Sequence, residues 1–285
     1  RKGGLVEEQI PNGQILGFRV KRKLASVQSS FQKIDIVDTC SHGRAMALDN
    51  KIMLTEKDEF FYHEMLAHVA LNSCRNLHNI LIIGGGDGGT ARECLKHCEV
   101  SHVDVCEIDP LVIELSKKYL PFTAKSFDDK RVQTHIADGF EFLREQARAA
   151  HASYDAILVD STDPEGPAAK LFGKRFYQLA KQALAEEGVL CTQCESPLFY
   201  ADIIPKVRTR LCALFQLVKN FTAPVPTYPS GYWSFVLASD SECEGDEGRI
   251  RNIAKQCTYY NEEIHRACFA LPNFFRDFLK RRRRT

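Results

Sequence analysis

The chain has 285 residues, 44% of them apolar and 26% charged, and carries a formal net charge of +1. That is room for one large domain, or one domain with a small appendage. The balanced charge excludes bulk attraction to nucleic acid or to a membrane surface.

No apolar run approaches the ~20 residues a membrane-spanning helix needs. The chain opens on Arg1-Lys2-Gly3-Gly4, without an initiator Met or an apolar signal core, so a trimmed start and a cytosolic protein are expected. The eleven cysteines are scattered along predicted helices and strands, which fits a reducing compartment. Cys191-Thr192-Gln193-Cys194 has CxxC spacing but falls at a strand end, where no redox role is expected.

Residues 1–57 read as a small antiparallel β domain. Runs from Ile15 to Val20 and from Phe31 to Val37 partly alternate, and Arg44 to Leu48 and Lys51 to Leu54 flank a hairpin turn at Asp49-Asn50. Residues 58–74 read as a helix with an apolar stripe at Phe61, Met65 and Val69. From residue 75 the pattern alternates between strands and helices. Asn79 to Ile83, His102 to Glu107, Val132 to Ile136, Ala156 to Val159 and Gly188 to Thr192 are candidate strands, spaced as βαβ units of a mainly parallel, doubly wound sheet. Gln216 to Phe221 and Trp233 to Ala238 would fit a sheet edge. The last stretch is polar, then helical, and its basic end, Lys280 to Arg284, reads as a solvated terminus. The second domain is thus 58–285.

Leu81-Ile82-Ile83 runs into Gly84-Gly85-Gly86-Asp87-Gly88-Gly89 and then a helix. Such a loop lets a ligand approach the backbone closely, and its GxGxxG spacing fits nicotinamide and adenosyl-sulfonium enzymes alike. Glu107, at the end of the next strand, is placed to accept from both ribose hydroxyls, or is an exposed strand-end acid. Asp138-Gly139 is placed beside an adenine ring, or caps the following helix. Asp87 discriminates among ligands. A carboxylate inside the glycine loop repels a pyrophosphate and attracts a cationic amine. An adenosyl sulfonium with an aminopropyl tail offers that amine without the carboxylate of intact S-adenosylmethionine.

The strand Ala156 to Val159 ends in Asp160-Ser161-Thr162-Asp163-Pro164-Glu165-Gly166-Pro167. Two carboxylates three residues apart on a proline-stiffened loop suit a cation. An alkylamine, with a pKa of ~10.4, arrives protonated and has no lone pair. Asp160 is the candidate base that binds it and takes its proton, and Asp163 holds or orients the amine. Tyr62 and His63 offer polar groups to an amine, or are core-edge and helix-surface residues. Tyr228, in the rigid loop Pro224 to Gly231, suits the methylene chain of a diamine.

Together these segments resemble the spermidine synthase family. The matching stretches are Leu54-Thr55-Glu56-Lys57-Asp58-Glu59-Phe60 through Tyr62-His63-Glu64-Met65, Gly84 to Gly89, Glu107-Ile108-Asp109, Asp138-Gly139, Asp160 to Pro167, Pro226-Thr227-Tyr228-Pro229-Ser230-Gly231, and Tyr259-Tyr260-Asn261 to Pro272. They stand in the family's order over residues 14–278. The resemblance implies a Rossmann-like, methyltransferase-type α/β sheet with a small N-terminal antiparallel β domain, and a homodimer. It implies transfer of aminopropyl from decarboxylated S-adenosylmethionine, a co-substrate, to putrescine, giving spermidine and methylthioadenosine, with no prosthetic group and no metal. It also implies that Gln32 contacts the nucleoside, along with the Gly84 and Gly86 loop, that Asp87 holds the donor amine, Glu107 the ribose and Asp138-Gly139 the adenine, and that Asp160 is the base. Asp163, Tyr62, His63, Tyr228 and Gln193 would line the amine site.

The sequence departs from the family at Asp49-Asn50 (usually Asp-Gly), Met53 (often Gln), Leu198 (often Trp) and Glu165 (often apolar). The last three bear on acceptor choice. A putrescine N-methyltransferase using intact S-adenosylmethionine is the alternative, which Asp87 disfavours. A nicotinamide oxidoreductase leaves Asp160 to Asp163 unexplained, and a catalytically dead scaffold would have lost Asp160 or Asp87.

Overall fold

The structure, a computed structural model, describes residues 4–10, 13–149, 153–200, 202–242 and 245–281. Five strands, β1 (Leu5–Gln9), β2 (Ile15–Gln28), β3 (Lys33–Thr39), β4 (Arg44–Leu48) and β5 (Lys51–Thr55), form an antiparallel sheet in that order. β1 and the second half of β2 were not expected. In β2, Lys21-Arg22-Lys23 interrupts the alternation, yet the strand continues because β3 pairs with it as far as Gln28. The hairpin stands where the sequence puts it. Leu48 faces Lys51 across two residues, Asp49 (φ 47°) and Asn50 (φ 66°), both left-handed as such a turn demands. Asp49 Oδ1 also accepts from the Lys33 amide at 2.8 Å, so the side chain helps to hold the turn on β3.

Helix α1 (Glu59–Asn72) links this sheet to a second of seven strands. In chain order the latter comprises β6 (Asn79–Gly84), β7 (His102–Glu107), β8 (Val132–Ile136), β9 (Tyr154–Asp160), β10 (Leu184–Gln193), β11 (Leu217–Pro224) and β12 (Tyr232–Ser239). Helices α2 (Gly89–Leu95), α3 (Pro110–Tyr119), α4 (Pro121–Ala124), α5 (Gly139–Arg148), α6 (Lys174–Ala183) and α7 (Ile203–Cys212) fall between the strands, and α8 (Glu247–Ala254), α9 (Glu262–Ala267) and α10 (Asn273–Arg281) follow them. The spatial order is β11-β12-β10-β9-β6-β7-β8, with β8, β7, β6, β9 and β10 parallel and β12 antiparallel to both its neighbours. The central parallel strands β6 and β9 carry apolar runs, Ile80 to Ile83 and Ala156 to Val159, because both faces are covered. Separate core clusters lie on the two sides, one around Ile80, Ile82 and Leu158, the other around Leu81, Ile83 and Ile157.

The chain runs outward from β6 to β8, then returns to place β9 on the other side of β6. A crevice opens at such a switch point, at the carboxyl ends of the two strands. Gly84 and Asp160 face each other there.

α1 is buried on nearly every side, although its apolar stripe predicts one wet face. Of that stripe, Met65 and Val69 are in the core and Phe61 packs at its margin. The polar residues between them are satisfied internally. Glu64 accepts from the amides of Thr258, Tyr259 and Tyr260 at 2.7, 2.8 and 2.8 Å, which docks the C-terminal segment onto the helix. Among the described residues no helix is long and apolar enough to cross a membrane. The described cysteines are free thiols, and burial holds Cys191 and Cys194 well above the ordinary thiol pKa, so neither is activated for exchange. Residues 282–284 of the basic terminus lie outside the described residues.

Candidate active site

Two glycines let the strand ends come together. Gly84 has φ +85°, and a Cβ there would sit 2.1 Å from the Asp160 carbonyl oxygen. The next amide, Gly85 N–H, donates to that same oxygen at 3.0 Å, fastening the glycine loop to β9. Gly89 opens α2 directly against α1, where a Cβ would lie 2.3 Å from the His63 ring. The result is a cavity of about 390 Å³ between the two sheets. All the residues singled out from the sequence line it: Gln32, Tyr62, His63, Gly84, Gly86, Asp87, Glu107, Asp138, Gly139, Asp160, Asp163, Gln193 and Tyr228.

At its centre lie two carboxylates in unlike surroundings. Asp87 accepts from the Gly89 amide at 2.7 Å and lies 3.3 Å from His63 Nε2. His63 Nδ1 lies 2.5 Å from Glu59 Oε2, and Glu59 is gripped by Arg92 at 2.7 and 2.9 Å. Burial alone would pull the His63 pKa down, but Asp87 and Glu59 outweigh it and hold the ring as an imidazolium. Burial likewise pushes Asp87 up, while the imidazolium and the Gly89 N–H bring its carboxyl below the ordinary value. Asp160 is pushed up instead, by burial and then by the Asp87 charge. It accepts from Tyr62 Oη at 2.9 Å on one oxygen and from Thr90 Oγ1 at 2.6 Å on the other. Burial and the Asp160 charge keep the Tyr62 phenol protonated and therefore a donor. The site thus pairs a fixed anion with a proton-avid carboxylate.

His63 therefore stands between two carboxylates, with both ring nitrogens engaged, and faces Asp87 rather than the loop of Asp163. Glu59 and Arg92, which hold it, were not singled out from the sequence. The spacing Glu59 to His63, one helical turn, was the available signal.

Toward the end of β7, Glu107 Oε1 accepts from the Asp109 amide at 2.9 Å. Burial raises its pKa to about 7, against the opposing effect of backbone N–H groups. The β2–β3 loop closes over this end. Ser29 Oγ and Gln32 Nε2 donate to Asp109 Oδ2 at 2.6 and 3.1 Å. Asp138 does cap α5, its Oδ1 accepting from Phe140 and Glu141 amides at 2.9 and 3.3 Å, while its other oxygen pairs with Lys170.

At the opposite end, Gln193 is fixed through both halves of its amide. Nε2 donates to the Ser161 carbonyl at 3.1 Å, and Oε1 accepts from the Glu195 amide at 3.0 Å. Tyr228 stacks obliquely on Tyr62 and edge-on to Trp233, with ring centroids 5.6 and 4.8 Å away, and its hydroxyl donates to the Met53 carbonyl at 2.5 Å. These rings line the cavity together with Asp163 and Glu165. Asp163 pairs there with Lys51 at 2.7 Å, a residue the sequence reading passed over as part of a hairpin.

Two groups of metal-ligand types lie within 4.8 Å of one another among the described residues, His63-Asp87-Asp160 and His68-Glu93-Cys257. In the first, both histidine nitrogens face carboxylates. In the second, Glu93 pairs with Arg92 at 2.7 Å and Lys96 at 2.5 Å, and His68 is hydrogen-bonded through both nitrogens to Glu93 and His97.

The spermine/spermidine synthase domain model matches residues 59–247, and the spermidine synthase tetramerisation domain model matches residues 4–56. A polyamine aminopropyltransferase of Bacillus cytotoxicus is 44% identical over 264 residues, 92% of this chain and 94% of that protein. One from Methanocaldococcus jannaschii is 43% identical over 276 residues, covering 95% and 93%. A spermidine synthase solved with the transition-state analogue AdoDATO superposes with a TM-score of 0.94 at 40% identity, covering 98% of this chain and 96% of that one. The spermidine synthase of Thermotoga maritima gives 0.92 at 40% identity, covering 98% and 95%. The chain belongs to the spermidine synthase family and is an enzyme that transfers aminopropyl groups.

Proposed function

We propose that the enzyme transfers the aminopropyl group of decarboxylated S-adenosylmethionine to putrescine, with Asp160 as the base. The observation that carries this is the contrast between Asp87 and Asp160, two neighbouring carboxylates pushed to opposite sides of the ordinary value. Such a split assigns different roles to two chemically identical groups. Asp87, its carboxyl held below the ordinary value, suits the ammonium of the donor's aminopropyl tail. Asp160, more basic than an ordinary aspartate, suits taking a proton from the acceptor.

The steps balance. The acceptor ammonium gives one proton to Asp160, and the freed lone pair attacks the propyl carbon bound to S⁺. The C–N bond forms as the C–S bond breaks, methylthioadenosine leaves with the bonding pair, and the product is a secondary ammonium. Tyr62 and Thr90 hold the base in line, so the enzyme supplies alignment and charge placement. Glu107 would take the ribose, Gln32 and the Gly84–Gly86 loop the nucleoside, and Asp138-Gly139 the adenine. Asp163, Gln193 and Tyr228 would line the diamine site, while His63 positions Asp87. The AdoDATO complex of the related synthase supports an adenosyl donor. We further propose residues 1–57 and 58–285 as the two domains, a homodimer as the basic assembly, for which the tetramerisation-domain match supports an oligomer, and a cytoplasmic location, in keeping with the free thiols.

The test is a donor-by-acceptor assay with products identified by mass. Spermidine and methylthioadenosine from decarboxylated donor plus putrescine are expected. Methylputrescine from intact S-adenosylmethionine would make the enzyme a methyltransferase instead.

Asp160→Asn should retain nucleoside binding, seen by calorimetry with methylthioadenosine, and lose about 10²–10⁴-fold in kcat, the usual range for a removed general base. Normal turnover would remove Asp160 from the mechanism. Asp87→Asn should narrow the preference for decarboxylated over intact donor by about tenfold or more, the scale of one charge-assisted hydrogen bond. An unchanged ratio would leave the glycine-loop acid without its assigned part.

His63 should remain an imidazolium at pH 8, which nitrogen chemical shifts of the ring report directly. Its folded pKa is raised, so its contribution to stability is complete below the unfolded value of about 6.5 and is lost as pH rises through the folded value. A neutral ring at pH 7 would sink this account of Asp87.

A further inference from the structure

The amine end of the cavity already contains an amine. Lys51 is the first residue of β5, just after the Asp49-Asn50 turn, and its Nζ lies 2.7 Å from Asp163 Oδ2 and 2.9 Å from Glu165 Oε2. It is the one Lys or Arg among the described residues that line the cavity. Carboxylates crowd around it. Glu8 also lines this end, anchored by accepting the Ile52 amide at 3.1 Å, and Glu195 is wholly buried nearby, hydrogen-bonded to Asp163. Burial, and then the Asp163 charge, push the Glu195 carboxyl well above the ordinary value.

An ε-ammonium on a four-carbon stem presents the same charged end as a diamine. Asp163 Oδ2 is therefore occupied by a group chemically equivalent to the one it would receive from a substrate. The two partners of Lys51 differ in depth. Asp163 retains 15% side-chain exposure, whereas Glu165 retains 72% and stands at the rim. A lysine stem can let go of the inner carboxylate while keeping the outer one, and an exposed ion pair of that kind constrains it little.

We propose that Lys51 is a built-in competitor for the far ammonium of the acceptor, holding Asp163 until a substrate cation displaces it toward Glu165. It sets acceptor specificity by weakening the enzyme's discrimination on the acceptor's second charge. The inference rests on the aminopropyl-transfer reading and deepens it.

Steady-state kinetics with decarboxylated donor test it, with putrescine and n-butylamine as acceptors that differ only in the far ammonium. Lys51→Met frees Asp163. The KM for putrescine should fall about tenfold, as expected for one recovered charge-assisted hydrogen bond, with kcat and the n-butylamine kcat/KM within about twofold. Lys51→Arg, which keeps a cation, should restore the wild-type ratio of the two acceptors. Lys51→Gln should move the ratio in the same direction as Lys51→Met, and serves if the methionine variant does not fold. A purely structural lysine would instead lower kcat/KM for both acceptors together. That result, a rise in the putrescine KM, or an unmoved ratio overturns the assignment while leaving the reaction intact. Wild-type enzyme that aminopropylates neither amine overturns both.

Discussion

Two carboxylates sharing one dry space cannot both be bare anions at small cost. Everything around the cavity follows from how Asp87 and Asp160 are kept apart in charge. The chain Arg92–Glu59–His63–Asp87 alternates cation and anion from a partly exposed guanidinium inward to the glycine loop. It ends on Asp87 and so fixes which of the two acids stays ionised. Asp160, given only neutral donors by Tyr62 and Thr90, bears the consequence as a raised proton affinity. Removing any link of that chain leaves a buried charge uncompensated, which costs more than a lost neutral contact.

The chain of charges also explains why α1 is buried so deeply. Tyr62 and His63 leave its N-terminal end and reach the cavity, with Glu59 behind His63, so the helix has to lie beneath the glycine loop. The loop in turn accepts the imidazole only because Gly89 lacks a side chain. The helix is held from outside by segments that come from elsewhere in the chain. Asp58, just before it, accepts from Thr55 Oγ1 at 2.5 Å and from the Thr227 amide at 2.9 Å. One short stretch thereby ties the N-terminal sheet and the Tyr228 loop to the helix that carries Tyr62 and His63. Farther along, Asn72 Nδ2 donates to Tyr260 Oη at 2.9 Å.

That arrangement marks where sequence reading succeeds. The glycine loop, Glu107 and Asp160 were legible because each sits at the end of an apolar strand run, and strand ends of a doubly wound sheet point into one crevice. The stripe Phe61, Met65, Val69 gave the helix its correct place. It did not give its environment, because a periodic pattern assumes that polar positions face water. Here Glu59, Glu64, His68 and Asn72 are buried and bonded to Arg92, to the amides of residues 258–260, to Glu93 and His97, and to Tyr260. Those partners lie from 25 to 196 residues away, and no local rule connects them. Asp138 shows the intermediate case. Cap and cavity-lining residue were both readable, and they prove compatible because its two oxygens serve different neighbours.

The same contrast separates the two ends of the cavity. Asp87 is balanced by an imidazole that is 3% exposed and pinned from behind by Glu59, a counterion with nowhere to go. Asp163 is balanced by a lysine that is 27% exposed, on a flexible stem, with a second carboxylate waiting at the rim. An immovable counterion determines a protonation state. A movable one leaves a place that a substrate cation can take. In this fold the first sits under the loop between β6 and α2, where backbone and side chains are packed on every side. The second enters from a hairpin of the N-terminal sheet, just after a two-residue turn. The fixed charge therefore comes from the Rossmann-like sheet and its helices, and the exchangeable one from the small antiparallel sheet that closes over it.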